Sequence, residues 1–504
     1  MYILAHTVYQ RNDTMFSIPI QLDKNNLDPL YIQLASHFST LIQNNELKAG
    51  DALPSIRKLA TYLNVNNVTV VSAYKHLEKI GLVRAQKGSG YYVKEKNNPI
   101  PSSHVLMPPV NNMNNQHLHL SNTQINFASA TPESSIFPIT AFKHYLNIVL
   151  DRDQGYAFGY HESNGYEPLR ESLSDYLLRN QNLIVSAQDI QIVSGAQQGI
   201  DIIGKALLKS GDCVMVENPT YTGAIAVFKS RDVLIKGISL ERDGLNLHEL
   251  ESVLFHHHPK LLYIMTRYQN PSTITYSEKK MKRLIELAEL YNFYIVEDDS
   301  MSELGYESDT KPLSLKHLDQ NNRVIYIKSF SKLMMPGLRI GFIIVPPTIA
   351  TDVMNAKHHT DISSSGLIQR TVDLYLRERQ WDEHINQMRL IYKEKYKLML
   401  TQLNSLRDLG IEFTIPGGGL HFWIKLPTDI TAEKLYDYCQ AHSLMILPGT
   451  LFNPEDNPHL NQYIRLSFAA CTKEDIMTGI SILRHALTAL TVRSKPITYI
   501  SPII

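Results

Sequence analysis

The stretch "YIKSFSKLMMPGLRIG", residues 326–341, decides how this chain is read. An apolar run leads into it, Lys332 follows the small hydroxyl residues Ser329 and Ser331, and Arg339 stands seven positions later in a Pro-Gly turn. A lysine in that setting is able to condense with the aldehyde of a carbonyl cofactor. A hydroxyl and a fixed guanidinium beside it suit a phosphate. A lone loop lysine is ordinarily a solvated charge, so the reading depends on its surroundings.

Between about residues 125 and 495, short apolar runs alternate with amphipathic helical segments. The runs include "DIQIVSG", "CVMVENP", "KLLYIMT", "FYIVEDD", "RVIYIKSF" and "IGFIIVPP". That alternation predicts a large α/β domain whose mainly parallel sheet is covered on both faces. Ligands in such folds bind beyond the carboxyl ends of the strands. Polar signatures follow the runs directly: "SGAQQG", "ENPTY", "RYQNPS", "EDDS" and "SFSK". One alone is an ordinary strand-to-helix turn; five in order, each chemically apt, are not. Asp298 is placed to pair with a protonated pyridine nitrogen, while Asp299 reads as a helix cap. Asn270 can donate to a phenolic ring oxygen, and Tyr221 can stack on the ring. The turn at Ala196 and Gln197 offers free backbone N–H groups to a phosphate, which Ser329 and Arg339 also reach. Arg465 in "YIRLSF" is suited to a ligand carboxylate; without the other elements it would read as an edge-strand surface arginine.

A different pattern occupies residues 22–94. A helical stripe covers "DPLYIQLASHFSTLIQNNEL" and "KAGDALP" breaks it. Ser55 caps a second helix beginning near Ile56. After the turn "NVNN" a third helix is expected to pack through Val68, Val71, Ala73 and Leu77, leaving Thr69, Val70, Ser72, Lys75 and His76 more available. This is helix-turn-helix geometry, and "QKGSGYY" adds a β wing with Lys87, Gly88 and Gly90 at its tip. From residue 44 to 94 the bases are Lys48, Arg57, Lys58, Lys75, Lys79, Arg84, Lys87 and Lys94, against Glu46, Asp51 and Glu78. The local charge of about +5 is what DNA backbone binding requires. Residues 95–124, rich in Asn, Pro and Ser, read as a flexible linker.

The totals agree with this division. The 504 residues exceed one ordinary core, and 49 basic residues balance 49 acidic ones, so the chain as a whole is not a basic nucleic-acid binder. Its three cysteines form no CxxC pair, which points to a reducing compartment and gives no metal site. The start of the chain is a poor signal peptide, and no apolar run approaches the roughly 18 residues of a membrane span. A cytoplasmic protein is expected.

"LPSIRKLA", "TVVSAYKHLEKIGL" and "GSGYYV" together resemble the winged-helix domain of GntR-type regulators. By that resemblance Ser55 and Arg57 of the "PSIR" segment, Asn66, Asn67 and Thr69 at the start of the recognition helix, and Lys87, Gly88 and Gly90 of the wing contact double-stranded operator DNA. Residues 125–495 resemble the fold type I aminotransferases of class I/II, chiefly through "SFSKxxxPGLRIG". There Lys332 forms a Schiff base with pyridoxal 5'-phosphate, and a small C-terminal lobe carries Arg465. "GYHESNGYEPLR" also fits, and implies that Tyr160 reaches the phosphate of the partner subunit in a homodimer.

Both domains in one chain resemble the MocR/GabR subfamily of GntR-type transcription regulators. That implies a head-to-tail dimer sensing an amino compound or the cofactor itself. The chain departs from the aminotransferase pattern twice. Thr273 stands where "NPTG" has glycine, and Ser300 stands where many relatives have a tyrosine that hydrogen-bonds the ring's phenolic oxygen. The second change weighs against efficient turnover more than against cofactor binding. Two alternatives stay open: an active aminotransferase of a 2-amino acid with an accessory DNA-binding module, and a regulator whose large domain only dimerises.

Overall fold

A computed structural model describes residues 2–11, 14–23, 29–43, 47–48, 50–79, 82–86, 90–94, 124–160, 162–306, 313–455 and 458–494. The chain divides into two compact units, Met1–His104 and Val105–Ile504. The expected linker, residues 95–124, lies outside the described residues apart from its last position.

The first unit opens with an antiparallel ribbon, β1 (Tyr2–Arg11) and β2 (Thr14–Asp23), to which the sequence reading assigns no element. Helices α1 (Leu30–Gln43), α2 (Ile56–Tyr62) and α3 (Asn67–Lys79) follow, then the paired wing strands β3 (Val83–Gln86) and β4 (Gly90–Val93). Leu34, Phe38, Leu59, Leu63, Val70, Ala73, Tyr74 and Leu77 form its core. Ser55 caps α2, its Oγ accepting from the Lys58 N–H at 3.4 Å. Asn66 does the same for α3 through Val68 N–H at 2.9 Å. The packed face of α3 is the expected one only in part: Ala73 and Leu77 are buried as expected, while Val71 is only half-buried. Val70 and Tyr74 are buried, whereas Val68 is 66% exposed. The spacing 70, 73, 74, 77 is the i, i+3, i+4, i+7 pattern that keeps one helical face inward. Val68 lies in the first turn and off that face.

In the second unit eight strands form one sheet in the order β6-β13-β12-β11-β10-β7-β8-β9. These are β6 (Ile190–Val193), β7 (Cys213–Asn218), β8 (Leu234–Glu241), β9 (Gly244–Leu245), β10 (Leu261–Ile264), β11 (Tyr294–Asp299), β12 (Val324–Ser329) and β13 (Gly341–Ile344). β7, β8, β10, β11 and β12 run parallel, and β13 is antiparallel to both its neighbours. Alternate residues serve opposite faces, as strand geometry demands. Val214, Val216, Tyr263 and Val296 enter one hydrophobic cluster, while Met215, Leu262, Ile264 and Ile295 enter another. Continuous apolar runs are the signature of a sheet buried on both sides. A smaller lobe holds the sheet β14-β17-β16, made of β14 (His421–Lys425), β16 (Leu447–Pro448) and β17 (Tyr463–Ser467). Beside it β5 (Ile125–Asn126) pairs with β15 (Leu444–Met445). Among the described residues no helix is long and apolar enough to cross a membrane.

Candidate functional site

The first unit presents a basic face. Arg57 and Lys58 are exposed at the start of α2, Lys75 on α3 and Arg84 on the wing. No salt bridge among the described residues engages them. Asp51 and Glu78 instead accept backbone N–H groups from Lys48 (2.8 Å) and Ala85 (2.9 Å). Those acids are partly spent on local structure, so the bases keep their charge for a polyanion. Asn67 and Val68 are exposed at the N-terminal end of α3, with Asn66 exposed just before it and Thr69 partly covered, where a recognition helix meets base edges. Asn66 has committed its Oδ1 to the cap, which leaves its amide NH2 to donate. Val68, which sequence reading placed in the core, adds an apolar group of the kind that meets a thymine methyl. Gly90 holds φ +120° where the wing begins its return. Lys87 and Gly88 lie outside the described residues.

In the second unit Ala196, Gln197, Tyr221, Asn270, Asp298, Ser329, Lys332 and Arg339 line one cavity of about 220 Å³, joined by Ser300 and Ser331. The sheet brings them together. Asp298 stands near the carboxyl end of β11, Ser329 ends β12, Tyr221 follows β7 and Asn270 follows β10. Tyr160 is elsewhere, 85% exposed, and Tyr156 and Phe158 in the preceding turn are 83% and 66% exposed.

Asp298 is buried. Its Oδ2 accepts from the Tyr263 hydroxyl at 2.7 Å, and its Oδ1 has no partner. Burial pushes its carboxyl up to about 6. A buried oxygen without a donor costs about 1–3 kcal/mol, so Oδ1 is suited to accept from a group bound in the cavity. Lys332 makes no hydrogen bond or ion pair among the described residues, and burial, reinforced by the Arg465 charge, brings its amine down to about 8. Arg465, on β17 of the small lobe, donates through Nη1 to Asn270 Oδ1 at 2.9 Å and through Nη2 to Ala128 O. Burial lowers its guanidinium to about 10, and its Nε is unpartnered. Since Arg465 takes Asn270 Oδ1, the amide NH2 of Asn270 is left to donate.

The anion end is built around Gly195, with φ +114°, at the start of the helix Ala196–Leu207. A Cβ there would lie 3.2 Å from Arg339 Nη2. Glycine therefore lets the guanidinium close on the free N–H groups of the helix start, where phosphate binds well. Ser329 Oγ accepts from Ser331 N–H at 3.3 Å. Tyr221 donates to Gln197 Oε1 at 3.3 Å, and a Cβ on Gly223 would collide with both side chains.

Several supports escape sequence reading. Buried Glu217, raised to about 8 by burial, accepts from Gln269 Nε2 (3.0 Å), Tyr276 Oη (2.8 Å) and Met265 N–H (3.2 Å). Gln269 Oε1 in turn accepts from Ser272 N–H at 2.8 Å, which fixes the loop carrying Asn270. Asp299 accepts from Ser302 N–H at 3.1 Å as a cap does, but it also pairs with the fully buried Lys328 ammonium at 3.1 Å. Burial works to raise Asp299; Lys328 and the Tyr326 hydroxyl overcome it and hold the carboxyl below its ordinary value. A strand proline or glycine marks a loop, but no local signal marks these contacts.

The residues fit pyridoxal 5'-phosphate. The unpaired Asp298 Oδ1 suits a pyridinium N–H, the Asn270 amide a phenolic oxygen, the Gly195 cradle with Ser329 and Arg339 a phosphate, and Lys332 an aldehyde. No group of three or more His, Cys, Asp or Glu among the described residues is arranged to hold a metal.

A winged helix and a fold type I aminotransferase domain thus occupy one chain. Comparison with known proteins agrees. Residues 122–483 match the aminotransferase class I and II family, and residues 30–93 match the gntR family of bacterial regulatory proteins. An uncharacterised HTH-type transcriptional regulator of Bacillus subtilis, YdfD, is 31% identical over 465 residues, covering 90% of this chain and 95% of the relative. Aromatic-amino-acid aminotransferase 1 of Thermococcus litoralis is 31% identical over 369 residues, 72% of this chain and 88% of that one. Among solved structures, the kynurenine aminotransferase of Pyrococcus horikoshii in complex with PMP superposes with a TM-score of 0.69 at 31% identity, over 75% of this chain and 94% of that one. The chain belongs to the class I and II aminotransferase family and, through its N-terminal domain, to the GntR-type regulators, the combination found in the MocR/GabR subfamily. It is a DNA-binding regulator fused to an aminotransferase domain, and the cofactor of that domain is pyridoxal 5'-phosphate.

Proposed function

We propose that the chain is a cytoplasmic transcription regulator that senses an amino compound through its cofactor. The carrying observation is the cavity of about 220 Å³ in which Lys332 and the unpaired Asp298 Oδ1 stand together, in a chain that also carries a winged helix. Lys332 supplies the amine that tethers the cofactor, Asp298 the carboxylate for its ring nitrogen, and Ser329, Arg339, Ala196 and Gln197 the phosphate contacts. Bound there, the cofactor would supply an aldehyde able to condense with the Lys332 amine or with the amine of a ligand. Arg465 holds the ligand's carboxylate. Because Arg465 rides on the small lobe and reaches Asn270 of the large one, ligand binding draws the lobes together. Tyr160 completes the phosphate site of the partner subunit in a head-to-tail homodimer. A ligand shifts DNA affinity only as far as it prefers one conformation.

The visible spectrum of the purified protein, before and after borohydride reduction and with peptide mapping, tests the tether. The expected result is a reduced adduct on Lys332; an adduct elsewhere, or none, contradicts it. A second reading, an active aminotransferase, is favoured by the likeness to the Thermococcus enzyme and opposed by Ser300. Steady turnover between an amino donor and a 2-oxo acid would establish it.

A further inference from the structure

The small-lobe sheet that carries Arg465 also carries an imidazole with no task in holding the cofactor. His421, at the start of β14, is 1% exposed, and neither Nδ1 nor Nε2 has a hydrogen-bond partner. Buried polar groups in native structures are nearly always paired, so two unpaired ring nitrogens call for a partner. The sheet register shows where the ring points. His421 lies opposite Ser467, and Trp423 lies opposite Arg465. Directly opposed residues share a face, and successive residues alternate. Phe422, Ile424, Ile464 and Leu466 all enter the hydrophobic core. His421 and Arg465 therefore project together from the other face, on which Arg465 meets Asn270. Burial, with the charges of Arg465 and Lys332 nearby, outweighs the adjacent Leu420 backbone, which is too poorly aligned for a hydrogen bond, and holds the imidazole well below its ordinary value. A neutral imidazole offers one donor and one acceptor.

We propose that His421 is a specificity-determining residue that reads a hydroxyl or carboxamide on the side chain of the amino compound whose carboxylate Arg465 takes. The inference rests on the sensing function proposed above. A hydroxyl or carboxamide can pair with either ring nitrogen in turn. A carboxylate accepts only, and an aliphatic side chain leaves both nitrogens stranded. Sites built to hydrogen-bond a ligand group reject the analogue lacking it far more strongly than a greasy pocket rejects a missing methylene.

The test uses the full-length, cofactor-loaded protein titrated with L-homoserine, L-glutamine, L-norvaline, L-leucine and L-glutamate, with affinity read from the cofactor absorbance. The wild type is expected to prefer homoserine or glutamine. His421→Phe should weaken that ligand on the order of 10–100-fold and leave norvaline and leucine unchanged or tighter, with the same cofactor absorbance. His421→Asn, which keeps a donor and an acceptor, should retain part of the preference. Equal losses for every ligand would assign His421 a structural role and overturn the proposal, as would no loss for any, or a wild-type preference for leucine or glutamate. A wild type whose absorbance no amino compound perturbs would contradict the sensing function itself, a result distinct from binding without discrimination.

Discussion

Lys332 bonds an aldehyde only as the free amine. Its pKa in the folded protein is brought down to about 8 by burial and by Arg465. A lowered value means that the proton leaves as pH rises through about 8 rather than through the usual lysine range, so far more free base is present near neutrality. The rate at which cofactor-free protein captures pyridoxal 5'-phosphate should therefore climb about tenfold per pH unit below 8 and level off above it, as read by stopped-flow absorbance. A rate still climbing to pH 10 would show an ordinary solvated lysine. This residue was legible because its signal is local: strand, two serines, lysine, Pro-Gly turn. Asp298, Asn270 and Arg339 were legible for the same reason. Glu217 was not, since its partners Gln269 and Tyr276 lie 52 and 59 residues further on. Tyr263 was not either, being 35 residues from Asp298. His421 carries no local mark at all; only the register of β14 against β17 places it beside Arg465.

At the level of elements, the loop after β10 pays for its shape at Thr273. This residue has φ +64°, is buried, and occupies the position where the family pattern has glycine. A β-branched side chain is a rare occupant of the left-handed region. Thr273→Gly should stabilise the large unit by about 0.5–1 kcal/mol net of the freedom that glycine gains when unfolded. A rise in the thermal midpoint with cofactor binding retained is the expected result, and a fall would show that the bond from Thr273 Oγ1 to Ser272 O at 2.6 Å outweighs the strain. In the reader, Ser55→Ala removes the cap of α2 at a cost of about 1 kcal/mol, so amide exchange in Ile56–Tyr62 should quicken about fivefold. Unchanged exchange would show the 3.4 Å contact to be idle. The positions of β6, β7, β10, β11, β12 and β13 and the cap could be read from pattern alone, because period and cap chemistry are local; the ribbon β1–β2 could not. The face of α3 could not: Val68 and Val70 are equally apolar, and only packing against the other helices shows that Val70 is the one turned inward.

For the molecule as a whole, the two units should fail separately. Arg57→Ala should weaken operator binding by about 5–150-fold, the cost of one lost contact, with cofactor absorbance intact. Loss of both together would mean that the units are not separable. The domain order was legible because composition changes sharply between the reader, the Asn- and Pro-rich segment and the alternating α/β pattern. The choice of ligand was not, because it depends on side chains gathered from strands far apart in the sequence. If the chain is a sensor, occupancy of the Lys332 site governs its affinity for DNA. The most direct test measures operator affinity and cofactor absorbance in one titration of amino compounds, with wild type and Lys332→Ala side by side. A coupled change is predicted for the wild type, on the order of 5–150-fold in operator affinity, with no response from Lys332→Ala. An equal response from both proteins, or an absorbance change in the wild type with operator affinity unmoved, would contradict it.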